Sequence, residues 1–257
     1  MKKFWDLRNS AEGVKLYIYG DIEATQFWGD ELTPDVIRQQ LDACSGPMEM
    51  HINSPGGDVF AGMAIYNLLK RYEDDITVYI DGLAASIASV IAMAGDKIIM
   101  PENALMMIHD AWCRTEGNAA DLRKMADELD RVDGLICDVY AARSGQDPEA
   151  FEGMMAAETW FTAAEAEAAG LIDEVENNKV IAAKLIGSIV NIGDQVISLD
   201  RFAHTEALRG MAEAQPDPAA DIEPDNGGES QPVEDNALDE QRRQFDALRR
   251  KIIETTN

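Results

Sequence analysis

Apolar positions divide the first 200 residues into short strands alternating with helices. Alternating or β-branched apolar runs predict strands, and apolar residues at intervals of three and four predict helices. The predicted strands are residues 14–19, 48–53, 76–80, 97–100 and 105–108. The predicted helices are residues 36–41, 59–71 and a long segment between Asn118 and Gly145. Because strands and helices recur as strand, strand, helix, the pattern indicates an α/β fold of stacked ββα units.

The long helix carries an unusually regular apolar stripe. Asn118 is a suitable N-cap, and Gly145 suits the position after the last turn. The stripe, with spacings of three and four, consists of Leu122, Met125, Leu129, Val132, Ile136 and Val139. Such a heptad pattern serves either as one buried stripe of a domain or as a contact with another subunit. We expect the second use, which predicts a homo-oligomer.

Composition separates the C-terminal part from the rest. The chain has a formal net charge of −26, which argues against nucleic-acid binding because phosphates would be repelled. Ten carboxylates and no Lys or Arg occur between Arg209 and Arg242. We therefore predict a domain over residues 1–200, a disordered acidic linker over 201–235 and a C-terminal amphipathic helix over 236–257.

Localisation and thiol chemistry follow from what the sequence lacks. No apolar segment approaches membrane-spanning length, and no apolar run follows the first lysines, so we expect a cytoplasmic protein without a membrane anchor. Cys44, Cys113 and Cys137 show no metal-binding spacing and are expected to be buried thiols. Neither a metal nor another cofactor is predicted.

Candidate chemistry lies between residues 76 and 110. A strand turns at Gly82 into small residues, and Ser86 then opens an apolar helical run. At such a turn the first free N–H groups of the helix can hold an anion. His109 follows 23 residues later, at the end of another apolar strand. A serine, a histidine and backbone donors are the components of an acyl-transfer site.

Other polar positions carry weaker signals. The adjacent Gly56 and Gly57 allow backbone N–H groups to face a ligand, although they also suit an ordinary turn. His51 lies within a strand, where packing or pairing across the sheet is the expected role. Glu158 precedes Thr159-Trp160-Phe161. It could orient a histidine, but its spacing alone favours a solvent-facing side chain.

The combination of motifs resembles ClpP, the proteolytic subunit of the ATP-dependent Clp protease. The resemblance covers about residues 14–175 and rests on four runs in order. They are residues 53–57 (Asn-Ser-Pro-Gly-Gly), 82–86 (Gly-Leu-Ala-Ala-Ser), 106–109 (Met-Met-Ile-His) and 165–173 (Glu-Ala to Gly-Leu-Ile-Asp). The resemblance implies a ClpP/crotonase-type fold, a serine endopeptidase and ring-shaped homo-oligomers.

The resemblance also implies roles for individual residues. Ser86 would be the nucleophile and His109 the general base, and the backbone N–H groups of Gly57 and Ile87 would form the oxyanion hole. The family has Asp as its third member, whereas this chain has Glu158, which is one methylene longer. Asp110 and Asp173 are the next candidates for that position.

The departure at Glu158 and the acidic tail look more like phage and prophage members, which are regarded as capsid-maturation proteases. The expected substrates are polypeptides, and the expected partners are a Clp-type unfoldase or phage capsid and scaffold proteins. Three alternatives remain open. They are a crotonase-fold thioester enzyme such as an enoyl-CoA hydratase, a non-catalytic ring or scaffold component, and a Ser–Lys peptidase related to signal-peptide peptidases.

Overall fold

A computed structural model describes residues 5–10, 13–25 and 32–177 with their side chains, and the backbone of three later strands. Residues 201–257 lie outside the described residues. The predictions of an acidic linker and of a C-terminal helix fall on that part of the chain.

The described strands and helices follow the predicted alternation. The strands are β1 (Trp5–Ser10), β2 (Gly13–Tyr19), β3 (Met48–Ser54), β4 (Ile76–Ala85), β5 (Lys97–Pro101), β6 (Leu105–Ile108), β7 (Thr159–Thr162), β8 (Glu174–Glu176), β9 (Ala183–Ile186), β10 (Ile189–Ile192) and β11 (Gln195–Ser198). The helices are α1 (Pro34–Leu41), α2 (Val59–Leu69), α3 (Ile87–Ala92), α4 (Ala119–Ser144), α5 (Glu149–Ala156) and α6 (Ala163–Ala168).

The main sheet is organised around β4. Strands β2, β3, β4, β5 and β8 are parallel neighbours in that order, and β1 pairs antiparallel with β2. The first half of β4 pairs with β5, and its last residues pair in parallel with β6, which in turn pairs antiparallel with β7. The carboxyl end of β4 therefore lies between β3 and β6. Strands β9 to β11 form a separate three-stranded antiparallel sheet.

Burial along the strands explains this arrangement. In β2 and in the first half of β4, buried and half-buried residues alternate, as expected of strands with one face against the core. The last four residues of β4, from Gly82 to Ala85, are all buried. Six consecutive residues of α3 are buried as well. The small side chains here let α3 pack closely behind the end of β4.

Several predicted details are confirmed. Asn118 caps α4 by accepting from the backbone N–H groups of Ala120 and Asp121, and Gly145 ends the helix with a φ of 73°. His51 lies between the rings of Tyr17 and Tyr79. The β1 strand was not predicted. Among the described helices, none combines the length and apolarity required to cross a bilayer.

Candidate active site

Ser86 occupies a sharp turn between β4 and α3. Its φ of 55° and ψ of −132° are unusual for a residue with a side chain. The Ser86 N–H donates to the carbonyl oxygen of Met107 at 2.9 Å, so β6 holds the turn. A Cβ on Gly56 would lie 2.7 Å from Cβ of Ser86, which explains why glycine stands opposite the turn. The hydroxyl is thereby presented at the carboxyl end of β4, between β3 and β6.

His109 lies directly beyond β6 and faces the serine. The parallel register of β4 and β6 pairs Ala85 with Met107, so the residues that follow both strands are brought together. The Nε2 atom of His109 lies 2.8 Å from Oγ of Ser86. Its side chain is only 13% exposed. The two residues singled out from the sequence therefore form a hydrogen-bonded pair.

The electrostatic surroundings keep His109 suited to accept a proton. Burial lowers the pKa of His109 from its ordinary value, and the carboxylates of Glu158 and Asp110 partly oppose this effect. The imidazole is therefore neutral near pH 7. A neutral imidazole carries one N–H proton, and Nε2 can accept the hydroxyl proton only if that N–H proton is on Nδ1.

Glu158 is turned toward the Nδ1 side of the histidine. The antiparallel register of β6 and β7 pairs Ile108 with Thr159, which places Glu158 opposite His109 one position further on. Glu158 has a φ of 49°, and its N–H donates to the Met155 carbonyl at 2.9 Å. Its Oε2 atom lies 3.9 Å from Nδ1 of His109.

The side chain of Glu158 is 9% exposed, so the spacing-based interpretation that it faces solvent is wrong. Trp160 Nε1 donates to Oε1 of Glu158 at 3.3 Å. Of the two alternatives, Asp173 contacts Arg143 and accepts from the Ile98 N–H, away from the histidine. Asp110 follows His109 in sequence and acts on it through its charge. Glu158 has a carboxylate oxygen 3.9 Å from Nδ1 of His109, and its charge raises the pKa of His109 more than the charge of Asp110 does.

The glycine turn of residues 53–57 forms another wall of the site. The backbone of Gly57 pairs with Ile22, where Ile22 donates to the Gly56 carbonyl at 3.0 Å and Asp58 donates to the Ile22 carbonyl at 2.8 Å. A Cβ on Gly57 would lie 2.0 Å from the Ile22 carbonyl oxygen. Only glycine fits this close approach. The nitrogen of Ile87 lies on the same side, 3.2 Å from where a Cβ on Gly56 would be.

A cleft of about 380 Å³ opens over Ser86 and His109. Its other walls include Gly57, Val59 and the segment from Trp112 to Arg114. Cys113 is exposed in this segment and Cys44 is half-buried, so the expectation of buried thiols holds for Cys137 alone. Within the described ranges, no group of three His, Cys, Asp or Glu side chains could hold a metal ion. The arrangement of a serine, a histidine and nearby backbone N–H groups suits acyl transfer.

Three residues around the site were not predicted from the sequence. Asp133 on α4 accepts the N–H of Ala111 at 2.6 Å and so holds the cleft segment that follows His109. Ser89 and Tyr140 make hydrogen bonds behind Ser86. All three lie on helices, where their positions show ordinary helical periodicity and carry no local signal of a contact with the site.

Comparison with known proteins places these residues in a family context. The family model described as Clp protease matches residues 16–179. The chain is 34% identical over 154 residues to "ATP-dependent Clp protease proteolytic subunit 3" of Streptomyces coelicolor, covering 57% of this chain and 70% of that one. It is 37% identical over 157 residues to the "ATP-dependent Clp protease proteolytic subunit" of Ligilactobacillus salivarius, covering 58% and 79%. The Porphyromonas gingivalis protein of the same name is 35% identical over 159 residues, covering 58% and 71%.

Proposed function

The chain belongs to the Clp protease family and is a serine endopeptidase of the ClpP class, and we propose that Ser86 is its nucleophile, His109 its general base and Glu158 the carboxylate that orients His109. The observation that carries this assignment is the 2.8 Å contact between Oγ of Ser86 and Nε2 of His109, made at a strained turn that opens a helix. A crotonase-type thioester enzyme would need an oxyanion hole but no such pair.

The reaction begins when Oγ of Ser86 attacks the scissile carbonyl carbon and its proton passes to Nε2 of His109. The carbonyl electrons move onto oxygen, and this oxyanion accepts hydrogen bonds from the N–H groups of Gly57 and Ile87. As the intermediate collapses, the C–N bond breaks and His109 donates its proton to the leaving amine. An ester on Ser86 remains. Water then attacks the acyl carbon while His109 takes its proton. The bond between the acyl carbon and Oγ of Ser86 breaks, the acid is released, and His109 returns the proton to Oγ.

Substitution of the two reacting groups tests this assignment. With a fluorogenic peptide substrate, Ser86→Ala and His109→Ala should each lower kcat by on the order of 10⁴-fold or more, since losing nucleophile or base disables the whole unit. Ser45→Ala and His51→Gln are controls with the same residue types elsewhere, and both should retain activity. If Ser86→Ala kept more than a tenth of the activity, the nucleophile would have been assigned wrongly.

We also propose that the active form is a ring-shaped homo-oligomer assembled through α4. Within one chain, Ile136 of the apolar stripe is buried, whereas Met125 and Leu129 are half-buried and Leu122 is 45% exposed. The neighbouring Leu135 is 58% exposed. A second subunit would cover these side chains. In sedimentation velocity the protein should sediment as a species much heavier than the 28.2 kDa monomer. Sedimentation as a monomer at micromolar concentration would contradict the proposal.

Polypeptides are the proposed substrates, delivered either by a Clp-type unfoldase or as phage capsid and scaffold proteins. The relatives are named as subunits of ATP-dependent proteases, which supports the first partner. Glu158 in place of Asp and the acidic composition of residues 201–235 support the second. Degradation of a folded substrate only with ATP and an unfoldase would identify the first partner. ATP-independent cleavage of a capsid protein at a defined bond would identify the second.

A further inference from the structure

Two fully buried hydroxyl groups lie behind the nucleophile, on helices that face each other. Ser89 on α3 is 0% exposed and Tyr140 on α4 is 1% exposed. The Ser89 Oγ atom lies 2.6 Å from the carbonyl oxygen of Ser86 and 2.8 Å from the Tyr140 hydroxyl. Burying two hydroxyls is costly unless both are hydrogen-bonded, as they are here.

The direction of the hydrogen bonds follows from the number of available protons. Ser89 has a single hydroxyl proton, and the Ser86 carbonyl can only accept, so Ser89 donates to that carbonyl. The Tyr140 hydroxyl must then donate to Oγ of Ser89. Burial raises the pKa of Tyr140, so the phenol keeps its proton. The hydrogen bonds therefore run in one direction, from Tyr140 on α4 through Ser89 to the carbonyl of Ser86.

The Ser86 carbonyl belongs to the same peptide unit as the Ile87 N–H. Because a peptide unit is planar and trans, fixing the direction of its carbonyl also fixes the opposite direction of its N–H. Ser86 combines a φ of 55° with a ψ of −132°, and ψ is the angle that orients this peptide unit. Residues with side chains rarely adopt this combination, so backbone preference alone does not hold the unit in place. The Ser89 N–H also donates to the Ser86 carbonyl, at 3.0 Å. Ser89 thus holds the carbonyl by two bonds.

We propose that Tyr140 and Ser89 are positioning residues that aim the Ile87 N–H at the oxyanion of the transition state. This inference rests on the proposed function of Ser86 and of the Ile87 N–H. It extends the catalytic unit to α4, the helix through which we propose that subunits associate. Neither residue touches the substrate, and both act through the peptide unit between Ser86 and Ile87.

The test uses Ser89→Ala, Tyr140→Phe and the double variant in the full-length protein. Losing a well-placed oxyanion donor costs roughly 10²–10³-fold in kcat, and a misdirected donor should cost less, on the order of tenfold for Ser89→Ala. KM should stay within about twofold, because the oxyanion forms only in the transition state. Tyr140→Phe should lower kcat by a smaller factor, since Ser89 can still donate.

Stability and activity should separate in the double variant. Ser89→Ala leaves the buried Tyr140 hydroxyl without its acceptor, so its Tm should fall, and adding Tyr140→Phe should recover part of that Tm. The kcat of the double variant should nevertheless equal that of Ser89→Ala, because Tyr140 acts only through Ser89. A residue with a purely structural role would give the opposite result, with kcat recovering together with Tm.

Tyr72→Phe is the matched control. The Tyr72 hydroxyl donates to the Gly46 carbonyl at 2.7 Å, near the amino end of β3, whereas Ser86 follows the carboxyl end of β4. This variant should lower Tm without changing kcat. Wild-type kcat in Ser89→Ala, or a KM effect alone, would overturn the inference. If Ser86→Ala were active, the proposed function itself would fail, so the two failures are distinguishable.

Discussion

Replacing Glu158 by Gln tests the third member of the proposed triad. The change keeps the size and shape of the side chain and removes only its charge. At the transition state His109 carries a proton on both ring nitrogens, and the Glu158 carboxylate faces Nδ1 at 3.9 Å. A glutamine at this position offers a neutral amide instead. The imidazolium then loses its counter-charge, and the amide no longer favours the tautomer with a proton on Nδ1.

The distance and the burial set the size of the effect. Two unit charges about 4 Å apart attract by about 1 kcal/mol in water and by about 4 kcal/mol at an effective dielectric constant of about 20. At about 1.4 kcal/mol per tenfold in rate, these energies correspond to roughly fivefold and 10³-fold. Because the side chains of His109 and Glu158 are only 13% and 9% exposed, the larger figure is the better guide. We expect kcat to fall by roughly 10²–10³-fold.

The assay is the pH dependence of kcat/KM for peptide hydrolysis. The Glu158 carboxylate raises the pKa of His109, so its removal should move the acid limb of the profile to lower pH. The plateau near neutral pH should fall at the same time, although the histidine is neutral there. Glu49→Gln is a matched control, since Oε2 of Glu49 lies 4.0 Å from Nε2 of His51, a histidine of the sheet.

Two results would refute the reasoning. Wild-type kcat/KM at all pH values in Glu158→Gln would show that the third position is filled by another group, with Asp110 the next candidate. A lower plateau with an acid limb at unchanged pH would show that Glu158 supports the site only through packing.

Three further predictions concern the charge, the backbone and the extent of the domain. In the wild-type protein the acid limb of kcat/KM should lie below the ordinary histidine value of 6.5, because burial lowers the pKa of His109 and the base works only when neutral. An acid limb of kcat/KM that lies above pH 6.5 would contradict this prediction. Gly57→Ala should abolish activity and lower Tm, because the new Cβ would lie 2.0 Å from the Ile22 carbonyl oxygen. Gly153→Ala is the control, since a Cβ there meets no atom within 4 Å. Truncation after Met211 should preserve peptidase activity and assembly of the oligomer, measured by sedimentation velocity, since every triad and stripe residue precedes the cut. Loss of folding in the truncated protein would show that the tail belongs to the core.

Local chemistry was sufficient to single out Ser86 and His109, which the structure brings within hydrogen-bonding distance of each other. The strand, the small residues and the helical run around Ser86 are consecutive in sequence, so their geometry is set by neighbours along the chain. His109 could be found because it ends an apolar strand of the same kind. The caps of α4 at Asn118 and Gly145 were predictable for the same reason.

Contacts between distant segments could not be predicted in this way. Glu158 faces His109 because β7 pairs antiparallel with β6 and because the residue itself adopts a positive φ. Neither fact is visible in the spacing, and only the resemblance pointed to this residue. Ser89 and Tyr140 are 51 residues apart in sequence, and they meet because α3 packs against α4. A serine and a tyrosine on helices look like ordinary surface or packing residues until that contact is known.

The proposed acyl transfer requires Ser86, activated by His109, to form a covalent bond with the substrate carbonyl. Its most direct test is labelling with a fluorophosphonate near pH 7, followed by intact-protein and peptide mass spectrometry. We predict one label per chain on the peptide that contains Ser86, no label in Ser86→Ala, and a labelling rate in His109→Ala lower by several orders of magnitude. Labelling of another residue, or labelling of the His109→Ala variant at the wild-type rate, would contradict the account.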